Sequence, residues 1–157
     1  KQKTAYEIAS DMNWGPDVLA AGTYPDHVSD DLMAKSAELA PKRAEAVKNA
    51  MRHCWKGYKD HAWGFDELKP QSGRGQNNWG GMGVTLLDSL DTLWLMGMRD
   101  EFDDATSWIE THLNFNIGKT VSTFETTIRS LGGLLTAYDL SGKKLFLDKK
   151  ISFQSLI

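Results

Sequence analysis

The sequence predicts an all-α protein built from antiparallel helix hairpins, and apolar residues at helical spacing are the main reason. One stripe recurs every three or four residues through Val47, Met51, Cys54, Trp55 and Tyr58, which places these side chains on one face of a helix. Turn-forming residues separate further segments of this kind, and almost nothing in the chain alternates as a half-buried strand does. Helices joined by loops favour helix-on-helix packing.

Four helices and the start of a fifth are predicted in order along the chain. Pro41 suits the first position of the first helix, because its missing N–H has no partner there in any case. The second helix is predicted over residues 84–96 and the third over residues 101–113. The fourth is predicted over residues 123–141, where a following glycine favours a helix end. A fifth element begins at Phe146.

Two segments differ from this helical pattern. Residues 1–40 carry three lysines against seven acidic residues, and we interpret them as an acidic, largely irregular N-terminal extension with a short helical turn near residues 31–40. Residues 63–83 contain six glycines, a density that predicts a long loop. Long loops inside compact domains are often functional.

Composition narrows the classes of function. The chain has 157 residues, of which 41% are hydrophobic and 25% charged, as is ordinary for a globular domain. Its net charge of −3 argues against a general nucleic-acid binder, which usually carries a basic surplus. No apolar run approaches the roughly 20 residues of a membrane span, so membrane association is expected only through an anchor outside this chain. The single cysteine excludes an internal disulfide.

No metal or phosphate motif is found. The four histidines lack the spacing of a zinc site, so no metal ligand is predicted among these residues. The stretch that begins at Gly73 starts like a dinucleotide fingerprint, but Asn78 stands where the third glycine belongs and no strand precedes it.

Carboxylates are the strongest candidates for chemistry. Asp88 and Asp91 lie in an otherwise apolar helix, where an acid either has a partner or purpose or lies on a thin polar edge. Glu125 follows Ser122 by three residues and precedes Arg129 by four. This spacing fits a capping box and a helix ion pair. It also fits a proton donor or base at a helix start, with the arginine tuning its pKa or binding a substrate hydroxyl.

Two tryptophans lie in the glycine-rich loop. Trp63 and Trp79 have asparagine and glutamine neighbours, and rings beside amides suit sugar recognition. An equally good interpretation is that these rings pin the loop to the core.

Several motifs together resemble one known family. They occupy residues 61–70, 87–93 and 124–129 and read HAWGFDELKP, LDSLDTL and FETTIR. In this order they resemble the start of the catalytic domain of class I α-1,2-mannosidases, glycoside hydrolase family 47. The resemblance runs from about Arg43 to Asp148 and identifies residues 41–148 as the N-terminal portion of that domain.

The resemblance implies a fold, an activity and roles for three residues. The fold is an (α/α)7 barrel of paired helices, present here in part. The activity is inverting hydrolysis of terminal α-1,2-linked mannose from high-mannose N-glycans on glycoproteins in the secretory pathway, in the endoplasmic reticulum or Golgi lumen. Glu125 matches a catalytic acid, while Arg129 and Asp88 match residues expected at the substrate. The family also binds calcium, through a ligand expected outside this chain.

Departures from the family pattern leave alternatives open. Residues 149–157 lack the expected helical continuation, and the other catalytic acids of the family are expected downstream. The chain by itself is therefore expected to be inactive. A catalytically dead, glycan-binding family member in glycoprotein quality control is one alternative. An unrelated all-α interaction domain, in which Glu125 and Arg129 form only a cap and an ion pair, is the other.

Overall fold

The computed structural model describes residues 29–153, with side chains through Lys149. The chain divides into two units, Lys1–Val47 and Lys48–Ile157. The described residues of the first unit, 29–47, form the first half of a long helix and are almost all exposed. Residues 1–28 of the predicted acidic extension lie outside the described residues.

Helix α1 spans Asp30–Ala62, so the predicted start at Pro41 is wrong. Ser29 begins the helix instead, because its hydroxyl oxygen accepts a hydrogen bond from Leu32 N at 3.3 Å. Two acidic residues in the first turn favour the same start. Pro41 lies inside the helix on an exposed surface, where it removes only one backbone hydrogen bond. Residues 30–40 are therefore helical rather than irregular.

The predicted apolar stripe of α1 is confirmed only in its last turns. Trp55 and Tyr58 are buried and Met51 is half-buried, but Val47 and Cys54 are exposed. Helical periodicity therefore gave the correct element and overstated the length of its buried face.

The glycine-rich loop contains a short hairpin that was not predicted. Strands β1 (Glu67–Lys69) and β2 (Arg74–Gln76) pair antiparallel. Three residues per strand are too few for an alternating pattern to be visible in the sequence. Beyond this hairpin, residues 77–83 lead directly into the next helix.

The remaining helices agree with the sequence prediction. They are α2 (Val84–Leu95), α3 (Arg99–His112), α4 (Thr123–Thr126), α5 (Gly132–Ser141) and α6 (Leu145–Phe153). A π-helical segment, Thr127–Leu131, joins α4 to α5, so these elements form one continuous helix. Gly142 ends that helix in the left-handed region, with φ 70°, as predicted. Helix α6 continues to Phe153, so the expected loss of helix after residue 148 is wrong as far as the structure describes the chain.

Helix α2 lies at the centre of the second unit. Its inward face is fully buried and packs against α3 and α5. Four leucines form this face: Leu86, Leu87, Leu90 and Leu93. Phe102 and Phe146 extend the core towards α3 and α6, with ring centroids 5.9 Å apart. Within residues 29–153, no helix combines the length and apolar character needed to cross a bilayer.

Candidate active site

The structure brings together the three residues that the sequence singled out, with Arg129 between Glu125 and Asp88. Arg129 Nε donates a hydrogen bond to Glu125 Oε2 at 2.8 Å, and its Nη1 donates to Asp88 Oδ2 at 2.7 Å. The side chains of the three residues are 40%, 34% and 33% exposed, in the order Arg129, Glu125, Asp88. One guanidinium group therefore holds two carboxylates that come from different helices, and both remain accessible to solvent.

Local capping places Glu125 at the start of α4. The hydroxyl oxygen of Ser122 accepts a hydrogen bond from Glu125 N at 3.3 Å, which confirms one half of the predicted capping box. The other half does not form, because the Glu125 carboxylate binds Arg129 rather than the backbone N–H of Ser122. The predicted ion pair is thus confirmed, and the Glu125 side chain points to the site instead of the helix end.

The two aspartates of α2 have different surroundings. Asp88 follows the buried Leu87 and lies at the edge of the helix, where it meets Arg129. Asp91 Oδ1 instead accepts hydrogen bonds from the backbone N–H and the hydroxyl group of Thr92. Asp88 therefore has a partner that the sequence did not name, and Asp91 makes a local contact only.

The two loop tryptophans also have different surroundings. The guanidinium carbon of Arg129 lies 5.8 Å from the ring centroid of Trp79, within the range of a cation–π interaction. Trp63 instead packs edge-on against Trp55 with ring centroids 5.9 Å apart. Trp79 therefore borders the carboxylate site, while Trp63 belongs to the aromatic cluster at the end of α1.

Asp66 is a functional candidate that the sequence analysis missed. Its side chain is fully buried. Oδ2 accepts hydrogen bonds from the backbone N–H groups of Trp79 and Gly81, both at 2.8 Å. Oδ1 accepts from Gly83 N at 2.9 Å and Val84 N at 3.4 Å. One feature of the sequence could have pointed to Asp66: it precedes a glycine-rich stretch. The backbone N–H groups of such a stretch need hydrogen-bond acceptors where they are buried.

The two carboxyl groups stabilise the charged form of Arg129 and hold its guanidinium group between them. The hydrogen bond that Arg129 donates to Asp88 contributes most, and the one that it donates to Glu125 next, to raising the pKa of Arg129. The Glu125 carboxyl group is accessible for proton exchange with a bound ligand, and Arg129 fixes its orientation.

The acidic residues of the site are not arranged as a cluster of metal ligands. Among residues 29–149, no group of three or more His, Cys, Asp or Glu side chains is placed to hold an ion. Asp88 and Glu125 both face a guanidinium group, which competes with a cation for the same oxygens. No chemical step is therefore assigned to calcium at these residues.

Comparison with known proteins decides the family. A family model described as glycosyl hydrolase family 47 matches residues 50–156. The chain belongs to this family. The interpretation of the chain as an unrelated interaction domain is accordingly wrong, since the match covers more than half of the chain.

Family 47 relatives agree over the same region. Mannosyl-oligosaccharide 1,2-alpha-mannosidase MNS1 of Arabidopsis thaliana is 50% identical over 108 residues, which are 69% of this chain and 19% of the relative. The endoplasmic reticulum mannosyl-oligosaccharide 1,2-alpha-mannosidase of Homo sapiens is 50% identical over 111 residues, 71% of this chain and 16% of the relative. The chain therefore spans less than a fifth of these relatives.

A solved structure extends the agreement to the fold. The alpha-1,2-mannosidase from Trichoderma reesei matches with a TM-score of 0.67 and 32% identity, over 73% of this chain and 27% of that one. The predicted fold class is confirmed: this family 47 chain is all-α and forms part of an (α/α)7 barrel.

Proposed function

We propose that the protein hydrolyses terminal α-1,2-linked mannose from high-mannose N-glycans with inversion of configuration. The observation that carries the proposal is the double hydrogen bond of Arg129 to Glu125 and Asp88. It joins two family motifs that lie far apart in the sequence. The mannosidase relatives and the shared family support the same reaction.

Inversion needs two carboxyl groups on opposite sides of the scissile bond, roughly 6.5–9.5 Å apart, so that a water molecule fits between them. We assign the acid to Glu125, whose protonated carboxyl group delivers its proton to the leaving oxygen, directly or through a water molecule, and becomes a carboxylate. Arg129 holds that carboxylate in place. Asp88 accepts a hydrogen bond from a mannose hydroxyl group, a role suited to an exposed carboxylate beside the acid.

The second carboxylate is assigned outside residues 50–156, on the strength of the family resemblance. The 157-residue chain by itself is therefore expected to release no mannose. We propose that the whole protein binds calcium through residues other than those described. We also propose a location in the lumen of the endoplasmic reticulum or Golgi, where high-mannose glycans are processed. The human relative is an endoplasmic reticulum mannosidase, which supports this location.

The test is release of free mannose from a high-mannose glycan by the protein expressed from its complete transcript, with calcium present. Glu125→Gln is expected to abolish release while leaving glycan binding intact. Glu110→Gln is the matched control, because Glu110 is an exposed glutamate of α3 and its loss is expected to leave release unchanged.

Three other outcomes decide against the proposal or against its assigned acid. Glycan binding without release by the unchanged protein, lost in Asp88→Asn, would identify a glycan-binding member of the family. If the unchanged protein neither binds the glycan nor releases mannose, both the enzymatic and the glycan-binding functions are excluded. Release that persists in Glu125→Gln would show that another residue is the acid.

A further inference from the structure

Asp66 connects the two segments that carry Trp79 and Asp88. Its Oδ2 holds the loop at Trp79 and Gly81, and its Oδ1 holds Gly83 and the first residue of α2. Helix α2 carries Asp88 five residues after Gly83. A single buried carboxylate thus sets the position of a ring and of a carboxylate that both contact Arg129.

The start of α2 depends on this carboxylate. The residue before the helix is Gly83, which has φ 66° and no side chain to cap the helix. Asp66 supplies the missing acceptor from a distant point in the sequence, and its negative charge suits a helix N-terminus. Gly83 itself leaves no room for a replacement, since an added Cβ would lie 2.7 Å from the ring of Trp108.

The loop at Trp79 is fixed from two further points. Asn77 Oδ1 accepts a hydrogen bond from Asp66 N at 3.2 Å. Lys119 Nζ donates to the carbonyl oxygen of Asn78 at 3.1 Å. Together with the bonds from Trp79 N and Gly81 N to Asp66, these hydrogen bonds fix the backbone before and after Trp79. The Trp79 ring faces the guanidinium group of Arg129 at 5.8 Å.

We propose that Asp66 is a positioning residue for the reaction. It orders the loop so that the Trp79 ring packs against Arg129, and this contact fixes the orientation in which Arg129 holds Glu125 and Asp88. The catalytic consequence rests on the proposed mannosidase function, whereas the effect on the position of Arg129 does not. Small displacements at a reacting group cost up to about 100-fold in rate, so a residue without substrate contact can still govern turnover.

The experiment compares Asp66→Asn, Trp79→Leu and the double variant in the protein expressed from its complete transcript. Selective ¹⁵N-arginine labelling reports the Nε–Hε resonance of Arg129, which the Trp79 ring shifts and which Arg129→Lys identifies. Asp66→Asn is expected to move this resonance towards its position in Trp79→Leu. Each single variant is expected to lower kcat/KM about 10-fold, and the double variant no further, because both act through one contact.

Ile109→Ala is the control for general loss of stability, since Ile109 is fully buried in α3 away from Arg129. It is expected to leave the Arg129 resonance in place at a temperature at which all variants are folded. If Asp66→Asn does not fold, Asp66→Glu, which keeps the charge and moves the oxygens by one methylene, is measured instead.

The proposal is overturned if the Arg129 resonance responds to Trp79→Leu but not to the Asp66 variant, or if it responds to neither. Additive losses of kcat/KM in the double variant would also overturn it. An unchanged protein that releases no mannose would instead contradict the proposed function, and the resonance would still decide the positioning role.

Discussion

Gly133 lies directly against the backbone carbonyl of Leu87. A Cβ atom at Gly133 would come within 2.5 Å of that oxygen, a distance that real Cβ contacts do not reach. Helices α5 and α2 therefore approach each other backbone to backbone at this point. Asp88 follows Leu87 on α2, and the same close approach places it within hydrogen-bond distance of Arg129.

Gly133→Ala is expected to push the two helices apart. Overpacking of this kind typically lowers the free energy of unfolding by about 1–3 kcal/mol, and here it also lengthens the distance from Asp88 to Arg129. Urea unfolding measures the first effect. Mannose release by the complete protein, or glycan binding, measures the second.

Gly132→Ala is the matched control one residue earlier. At Gly132, an added Cβ meets only the carbonyl oxygen of Thr127 at 3.8 Å, which is an ordinary contact. Alanine also favours a helix over glycine by up to about 1 kcal/mol. Gly132→Ala should therefore leave stability unchanged or increased, and equal destabilisation by both variants would contradict the role of the Gly133 contact.

Arg129→Lys should separate activity from stability. A lysine is a point charge and lacks the planar fork that lets Arg129 bind two carboxylates at once. The side chains involved are at least one-third exposed, so we expect a change in unfolding free energy below about 1 kcal/mol. We expect kcat/KM to fall about 10-fold or more, since Glu125 loses its orientation.

Arg99→Lys is the control for this prediction. Arg99 also makes a fixed contact, donating to the carbonyl oxygen of Trp94 at 2.7 Å and covering its ring, but it makes no contact with the site residues. The two variants should resemble each other in thermal unfolding and differ in kcat/KM. Full activity in Arg129→Lys would show that charge alone is sufficient, and a similar loss of activity in both variants would show that the loss is not specific to the bidentate contact of Arg129.

Ser122→Ala tests whether Glu125 acts as a cap or as a catalyst. Loss of the Ser122 hydroxyl removes the N-cap of α4 and should lower stability by about 1 kcal/mol. Glu125→Gln removes no cap, so its effect on urea unfolding should be smaller and its effect on mannose release far larger. The opposite ranking would favour a purely structural glutamate.

Local patterns predicted most helices because each carries a regular apolar face. The predicted bounds of α2 and α3 agree with the structure within two residues. The ion pair of Glu125 with Arg129 is confirmed too, since it depends only on the pitch of one helix. Pro41 misled the prediction of α1, because proline is compatible with both a helix start and an exposed helix interior.

Contacts between distant residues could not be predicted in this way. The hydrogen bond of Asp88 to Arg129 joins residues 41 positions apart, and it depends on the close approach at Gly133. The buried carboxylate of Asp66 binds backbone groups that lie 13 to 18 residues away. Backbone N–H groups have no residue identity, so no sequence pattern points to them as partners.

Tyr58 gives a prediction of pH dependence. Its hydroxyl group donates to the carbonyl oxygen of Phe65 at 2.6 Å, and burial, together with the charge of Asp66, raises the pKa of Tyr58 well above its ordinary value of 10.0. Above that pH the unfolded chain releases the Tyr58 proton while the folded chain retains it. Stability from this group is therefore complete at lower pH and falls as the pH rises above 10.0, by about 1.4 kcal/mol per pH unit.

Tyr58→Phe should remove this dependence. At about pH 8 the variant is expected to be less stable by about 1 kcal/mol, because the Phe65 carbonyl loses its partner. At about pH 11 the difference should vanish or reverse, since only the unchanged chain loses stability through Tyr58. Urea unfolding at both pH values measures this, with the partly buried Tyr138→Phe as control. A constant difference between Tyr58→Phe and the unchanged chain would show that the Tyr58 hydroxyl titrates equally in both states.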